Sequence, residues 1–95
     1  MKRIKRKTLL EEKIGCHEWM MYDESKKMVY LLNDNAFFIY GLCQDIAPEM
    51  VVQEYVRSNS GLGIPPGVMV KEVQKILEYM KKESIIWEED FECYE

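Results

Sequence analysis

His17 is the single histidine in this 95-residue chain, and it stands beside Cys16. Those residue types could hold a metal ion or move a proton. Neighbouring side chains in a strand point to opposite faces, so Cys16 and His17 are badly placed to share one ion. A histidine on an apolar strand also serves more often as a structural partner than as a base. Paired carboxylates occur only in charged runs, Glu11-Glu12 and Glu88-Glu89-Asp90. Gly61-Leu62-Gly63 leads into Pro65-Pro66 and not into a helix with open N–H groups, which makes it a poor phosphate cradle. No nucleophile elbow, zinc-protease motif or dinucleotide fingerprint is present. The expectation is a protein that is not an enzyme, with no catalytic residue, no metal and no cofactor.

The three cysteines, Cys16, Cys43 and Cys93, form no CxxC or CxC pair. An odd number without such spacing argues against a disulfide scaffold and fits a reducing compartment. The chain is 47% hydrophobic, enough for one domain to bury a core but too small to enclose a large cofactor as well. No apolar run approaches the roughly 18 residues of a membrane span. No secretory signal opens the chain, so the expected location is cytoplasmic, away from the membrane. The net charge of −4 hides an asymmetry, with Lys2, Arg3, Lys5, Arg6 and Lys7 at one end and Glu88, Glu89, Asp90, Glu92 and Glu95 at the other. Such runs are usually solvated tails. The expected organisation is a basic arm over 1–7, a folded domain over 8–87 and an acidic tail over 88–95. The alternatives are an arm that steers an acidic partner, or two tails that pair with each other.

Several elements can be read directly. Residues 16–23 alternate, with Trp19 and Met21 on one side and Met20 and Tyr22 on the other, and predict a strand covered at least partly on both faces. A polar turn follows, and then Met28 to Leu32, with Met28, Tyr30 and Leu32 on one face and Val29 and Leu31 on the other. A hairpin over 16–32 is the firmest β prediction, preceded by an irregular strand near Thr8, Leu9 and Leu10. Asn33 is suited to cap a helix over 34–43 that is apolar nearly all round. Pro48 suits the first position of a second helix over 48–57. The loop 58–67 contains three glycines and two prolines, and a third helix over 68–84 carries Val70, Val73, Ile76, Leu77 and Met80 at spacings of three and four. The predicted fold is α+β: a small three-stranded antiparallel sheet followed by three helices, winged-helix-like. An edge strand beside helices is a ready dock for an extended peptide.

The stretch 18–86 resembles the PqqD-like proteins, the peptide-binding domains also called RiPP recognition elements. Three segments carry the resemblance: Tyr30-Leu31-Leu32-Asn33 ending the hairpin, Ala36-Phe37-Phe38-Ile39-Tyr40-Gly41-Leu42, and Glu72-Val73-Gln74-Lys75-Ile76-Leu77-Glu78-Tyr79-Met80 followed by Ser84-Ile85-Ile86. Two departures fall at turns, where Ser84 replaces the usual glycine and Gln44-Asp45 replaces a common Asp-Gly. The 58–67 loop is also longer than the pattern. The resemblance implies a stand-alone carrier. It would bind the leader segment of a ribosomally made precursor peptide as an added antiparallel strand and deliver that precursor to a peptide-modifying enzyme.

The expected peptide-binding residues are therefore Met28, Val29, Tyr30, Leu31 and Leu32 on the strand, with Lys71, Val73, Gln74, Lys75, Leu77 and Glu78 on the third helix. In this reading Val29, Leu31, Val73 and Leu77 line an apolar floor, with Lys71, Gln74, Lys75 and Glu78 along its rim. Val73 and Leu77 also have a plain reading as core. A winged-helix nucleic-acid binder is the alternative. The third helix offers Lys71, Gln74, Lys75, Lys81 and Lys82, but the acidic body repels phosphate. A homodimer through the same sheet edge is the third reading, and it would occlude the peptide.

Overall fold

A computed structural model describes residues 2–90 of the chain. The strands are β1 (Lys2–Arg6), β2 (Leu10–Lys13), β3 (Glu18–Asp23), β4 (Met28–Asn33) and β5 (Ile86–Asp90). The helices are α1 (Asp34–Leu42), α2 (Pro48–Ser58) and α3 (Pro66–Lys82), with a short 3-10 turn at Ser60–Leu62. Strands β2, β3 and β4 form an antiparallel sheet in that order, and β1 pairs separately with β5. The α+β architecture is the expected one, with this second ribbon added.

Alternation decides which sheet face is covered. Met21, Tyr30 and Leu32 are buried, while Val29 and Leu31 on the opposite face are exposed. The covered face meets Ala36, Ile39 and Tyr40 of α1, and the same core takes in Val51 and Tyr55 of α2 and Met69, Val73 and Met80 of α3. Each such side chain contributes about 1.5–3 kcal/mol by leaving water. Helix α1 is less enclosed than its composition predicted, because Phe38 is 38% exposed.

The expected solvated tails are corrected for the segments the structure describes. Lys2–Arg6 runs antiparallel to Ile86–Asp90, in register Ile4 to Glu88. Ile4 and Ile86 are fully buried, which anchors the ribbon in the core. Lys2 pairs with Glu88 at 3.7 Å and Lys5 with Glu89 at 2.9 Å. The opposite charges of the two blocks thus meet across strands, and β1 also exchanges backbone bonds with Ile46 through Ile4. The rest of the acidic run, 91–95, and Cys93 lie outside the described residues.

Three turns use left-handed backbone at non-glycine residues: Lys27 (φ 54°), Asp45 (φ 55°) and Ser84 (φ 60°). Asp45 and Ser84 are the two positions at which the resembled pattern carries glycine, and both take the left-handed backbone that glycine favours. At Ser84 the amide donates to Lys81 O at 3.0 Å and that of Ile85 to Met80 O at 2.9 Å. That pair of bonds is the Schellman termination of a helix, which favours glycine at this position. It also explains why α3 stops before Ser84. Asp45 is held by Arg3, whose Nε donates to its Oδ1 at 2.8 Å.

Candidate functional site

Two features place the outer edge of β4. The strand leads without a loop into α1, because Asn33 stays extended (φ −78°, ψ 176°) and its Oδ1 accepts from Ala36 N at 2.8 Å. The hairpin turn at the other end is fixed by Asp23, which is almost fully buried. Its carboxylate accepts from Lys7 Nζ at 2.7 Å and from Ser25 N at 3.0 Å. The Lys7 ammonium, with help from Ser25 and the Lys26 amide, lowers the pKa of Asp23 to about 2.

The pairing phase of the sheet can be derived. Ile14 N–H donates to Glu18 O at 3.1 Å, so residues 18, 20 and 22 of β3 turn their backbone groups toward β2. Residues 19, 21 and 23 therefore turn theirs toward β4, where they face Leu32, Tyr30 and Met28. The N–H and C=O groups of Val29 and Leu31 consequently point away from the sheet. Among the described residues no strand pairs with this edge of β4. Between Met28 and Leu32 there is no charge, proline or bulge to guard it. The opposite edge of the sheet, β2, has Glu11, Glu12 and Lys13 in a four-residue strand, the usual protection against strand addition.

Helix α3 runs antiparallel to β4 beside that edge. At one end Asn35 Nδ2 donates to Glu72 Oε1 at 3.1 Å, and Tyr55 OH donates to Glu72 Oε2 at 3.1 Å. At the other end the carbonyl of Glu83 accepts from Lys26 Nζ at 2.6 Å and from Tyr30 OH at 3.5 Å. Glu72, Ile76, Tyr79 and Glu83 follow one another at steps of four, three and four, so they form one stripe along the helix. Tyr79 is 43% exposed, and its hydroxyl is pushed toward higher pKa by partial burial and by nearby Glu83 and Tyr30. A chain added antiparallel to β4 would run in the same direction as α3 and meet this stripe.

The side chains of the expected site residues do not all face one cleft. Val29 and Leu31 sit on the outer sheet face, whereas Val73 and Leu77 are core residues at 0% and 7% exposure. The four do not form one floor, because strand alternation puts the first pair on the face away from the helices. Tyr30 and Leu32 are likewise buried in the core, and only Met28 on that side remains 43% exposed. Gln74, Leu77 and Glu78 turn toward α2, where with Pro48, Val52 and Lys81 they line a groove of about 740 Å³. Lys71 and Lys75 are exposed on α3. Ile76, Tyr79 and Glu83 were not among the expected residues, although their helical spacing from Glu72 was visible; what the sequence lacked was which side of α3 meets β4.

The remaining candidates for chemistry have structural partners. His17 Nδ1 lies 2.6 Å from Asp34 Oδ2, and Trp19 Nε1 donates to Asp34 Oδ1 at 3.2 Å. Trp19 then stacks on Phe37 with ring centroids 3.7 Å apart, which braces the β4–α1 corner. Both donors hold the Asp34 carboxyl below its ordinary pKa, His17 the more strongly. Among the described residues no group of three or more potential ligands could hold a metal ion. No described helix is long and apolar enough to cross a membrane.

No family model matches the sequence, and no curated protein matches it. Among solved structures, the fold is similar to that of TbiB1 in complex with the TbiA(beta) leader peptide. The TM-score is 0.66 and the identity 12%, over 94% of this chain and 99% of that one. The chain therefore shares the fold of that leader-bound protein, an α+β arrangement of the kind its strand-to-helix corner and third-helix pattern implied.

Proposed function

We propose that this protein binds the leader segment of a ribosomally made precursor peptide along the outer edge of β4 and presents that precursor to a modifying enzyme. The observation that carries the reading is the unguarded edge at Val29 and Leu31, which offers two N–H and two C=O groups in the spacing of an antiparallel partner. The leader-bound structure of TbiB1, which has the same fold, supports it. Side-chain preference would come from the α3 stripe and from Met28, with Lys75 on the exposed side of that helix.

An added strand gains main-chain bonds and buries one side against α3, but must be ordered first. The affinity expected is micromolar to sub-micromolar, about −8 to −10 kcal/mol. Titrating the labelled chain with its leader peptide tests the site by amide chemical shifts. The amides of Val29 to Leu32 and of Ile76 to Glu83 should move most. Shifts confined to the α2–α3 groove, or absent altogether, would refute the assignment. A second copy paired at the same edge would instead show as concentration-dependent shifts without peptide.

The nucleic-acid reading is weakened, since four of the five basic residues at the N-terminal end are engaged in ion pairs. Lys2, Lys5 and Lys7 face Glu88, Glu89 and Asp23, and Arg3 faces Asp45. Lys71 and Lys75 remain exposed on α3, but the body as a whole, at net charge −4, repels phosphate.

A further inference from the structure

The sheet has an outer face as well as an outer edge, and a strand added at β4 would leave that face open to solvent. The register places Leu10, Tyr22 and Val29 in one row across the three strands, and Glu12, Met20 and Leu31 in the next. Ile14 and Glu18 continue the same face beyond them. Leu10, Ile14, Val29 and Leu31 are between 49% and 63% exposed, and Met20 and Tyr22 are half-buried. A shallow depression of about 240 Å³ opens among Leu10, Glu12, Met20 and Tyr22. All helices pack on the other face. The result is an uncovered, largely apolar face, contiguous across three strands, of the kind that is often functional on soluble proteins.

We propose that this face docks the modifying enzyme, through an enzyme surface whose apolar centre is rimmed by Lys and Arg. The inference rests on the proposed leader binding, since that is what gives the enzyme a reason to meet the carrier. Charge selects the occupant. The charged side chains in and around the patch are Glu11, Glu12 and Glu18, and none enters an ion pair among the described residues. A second copy packed face to face would set these carboxylates against their own counterparts, whereas a basic rim would pair with them. A bound leader would also bear on this patch. A leader strand added at β4 enlarges it. In a hydrogen-bonded antiparallel pair the two side chains share a face, so the leader residues opposite Val29 and Leu31 project onto this one. The enzyme would thus grip a composite of carrier and leader, and would distinguish loaded carrier from empty.

The test uses the full chain, its leader peptide and the modifying enzyme produced from the same gene cluster, with the enzyme immobilised and the carrier flowed over it. Leu10→Ser and Glu12→Lys alter exposed side chains away from the β4 edge, and matching thermal melts confirm that both variants fold. Each should weaken enzyme binding by about tenfold or more, with leader affinity within about twofold of wild type. Saturating leader should strengthen binding of the wild-type carrier to the enzyme by about threefold or more. Wild-type affinity in both variants, no enzyme binding by the wild-type carrier, or a self-associated carrier that either substitution dissociates would overturn the proposal. If the enzyme binds through this face but the leader does not bind, the leader reading fails and the docking face stands. If the leader binds and the face variants are silent, the reverse holds.

Discussion

Replacing Leu31 by proline separates binding from folding more sharply than any other single change. The phase of the β3–β4 ladder sends the Leu31 N–H outward, so proline removes a donor that β3 never uses. The side chain lost is 63% exposed and contributes little to the core. A leader carbonyl that would have accepted from Leu31 is instead left facing a ring methylene. An unsatisfied group of that kind costs about 1–3 kcal/mol. Affinity should therefore fall roughly 5- to 150-fold. Leu31→Ala keeps the N–H and should stay within about threefold of wild type. Leu32→Pro breaks the pairing with Trp19 and removes a side chain that is 2% exposed, so it should cost about 3 kcal/mol or more in stability. Fluorescence anisotropy with a labelled leader reads the first effect, and circular-dichroism melts read the second. A Leu31→Pro chain that binds leader like wild type, or that melts as early as Leu32→Pro, would show that the phase or the edge has been assigned wrongly.

Other consequences follow from the turns and the buried groups. Ser84→Gly relieves left-handed backbone at the end of α3 (φ 60°) and should stabilise the protein by about 0.5–1 kcal/mol after the greater entropy of unfolded glycine is counted; an unchanged or lower melting temperature would contradict the Schellman assignment. Asp23 has its pKa depressed from 3.8 to about 2, chiefly by Lys7. A depressed folded-state value means that the unfolded chain takes up the proton first, so the stability it contributes is complete above about pH 4 and is lost as pH falls toward 2. Urea titrations of wild type and Asp23→Asn across that window should differ in slope, and parallel curves would refute the link. Burial pushes the Cys43 thiol up to about 12, whereas Cys16 is exposed. A thiol-alkylating reagent at neutral pH should therefore modify Cys16 in the native protein and reach Cys43 only on unfolding, as peptide mass mapping can show. In gel shifts at physiological salt the chain should leave random duplex DNA unretarded, and a salt-sensitive complex would revive the nucleic-acid reading.

Local information in the chain was enough for most of the elements. The period-two pattern over Met28 to Leu32, the Asn33 cap and the spacing of Val73, Leu77 and Met80 each act over a few residues, so hairpin, corner and helix could all be read directly. Ser84 and Asp45, which stand where the resembled pattern has glycine, were visible too, and both take left-handed backbone. What tertiary structure alone decided was pairing and facing. Lys2–Arg6 and Ile86–Asp90 find each other across almost the whole chain, where their charges read in isolation suggested solvated tails. Which side of α3 lies along β4 depends on the contacts of Glu72 with Asn35 and of Glu83 with Lys26 and Tyr30, each between residues far apart in sequence. Alternation told that Val29 and Leu31 oppose Tyr30 and Leu32, but only packing chose the face to be buried. A strand's side-chain period is written into its residues, whereas the partner that covers one of its faces, or leaves one of its edges open, is set by the rest of the molecule.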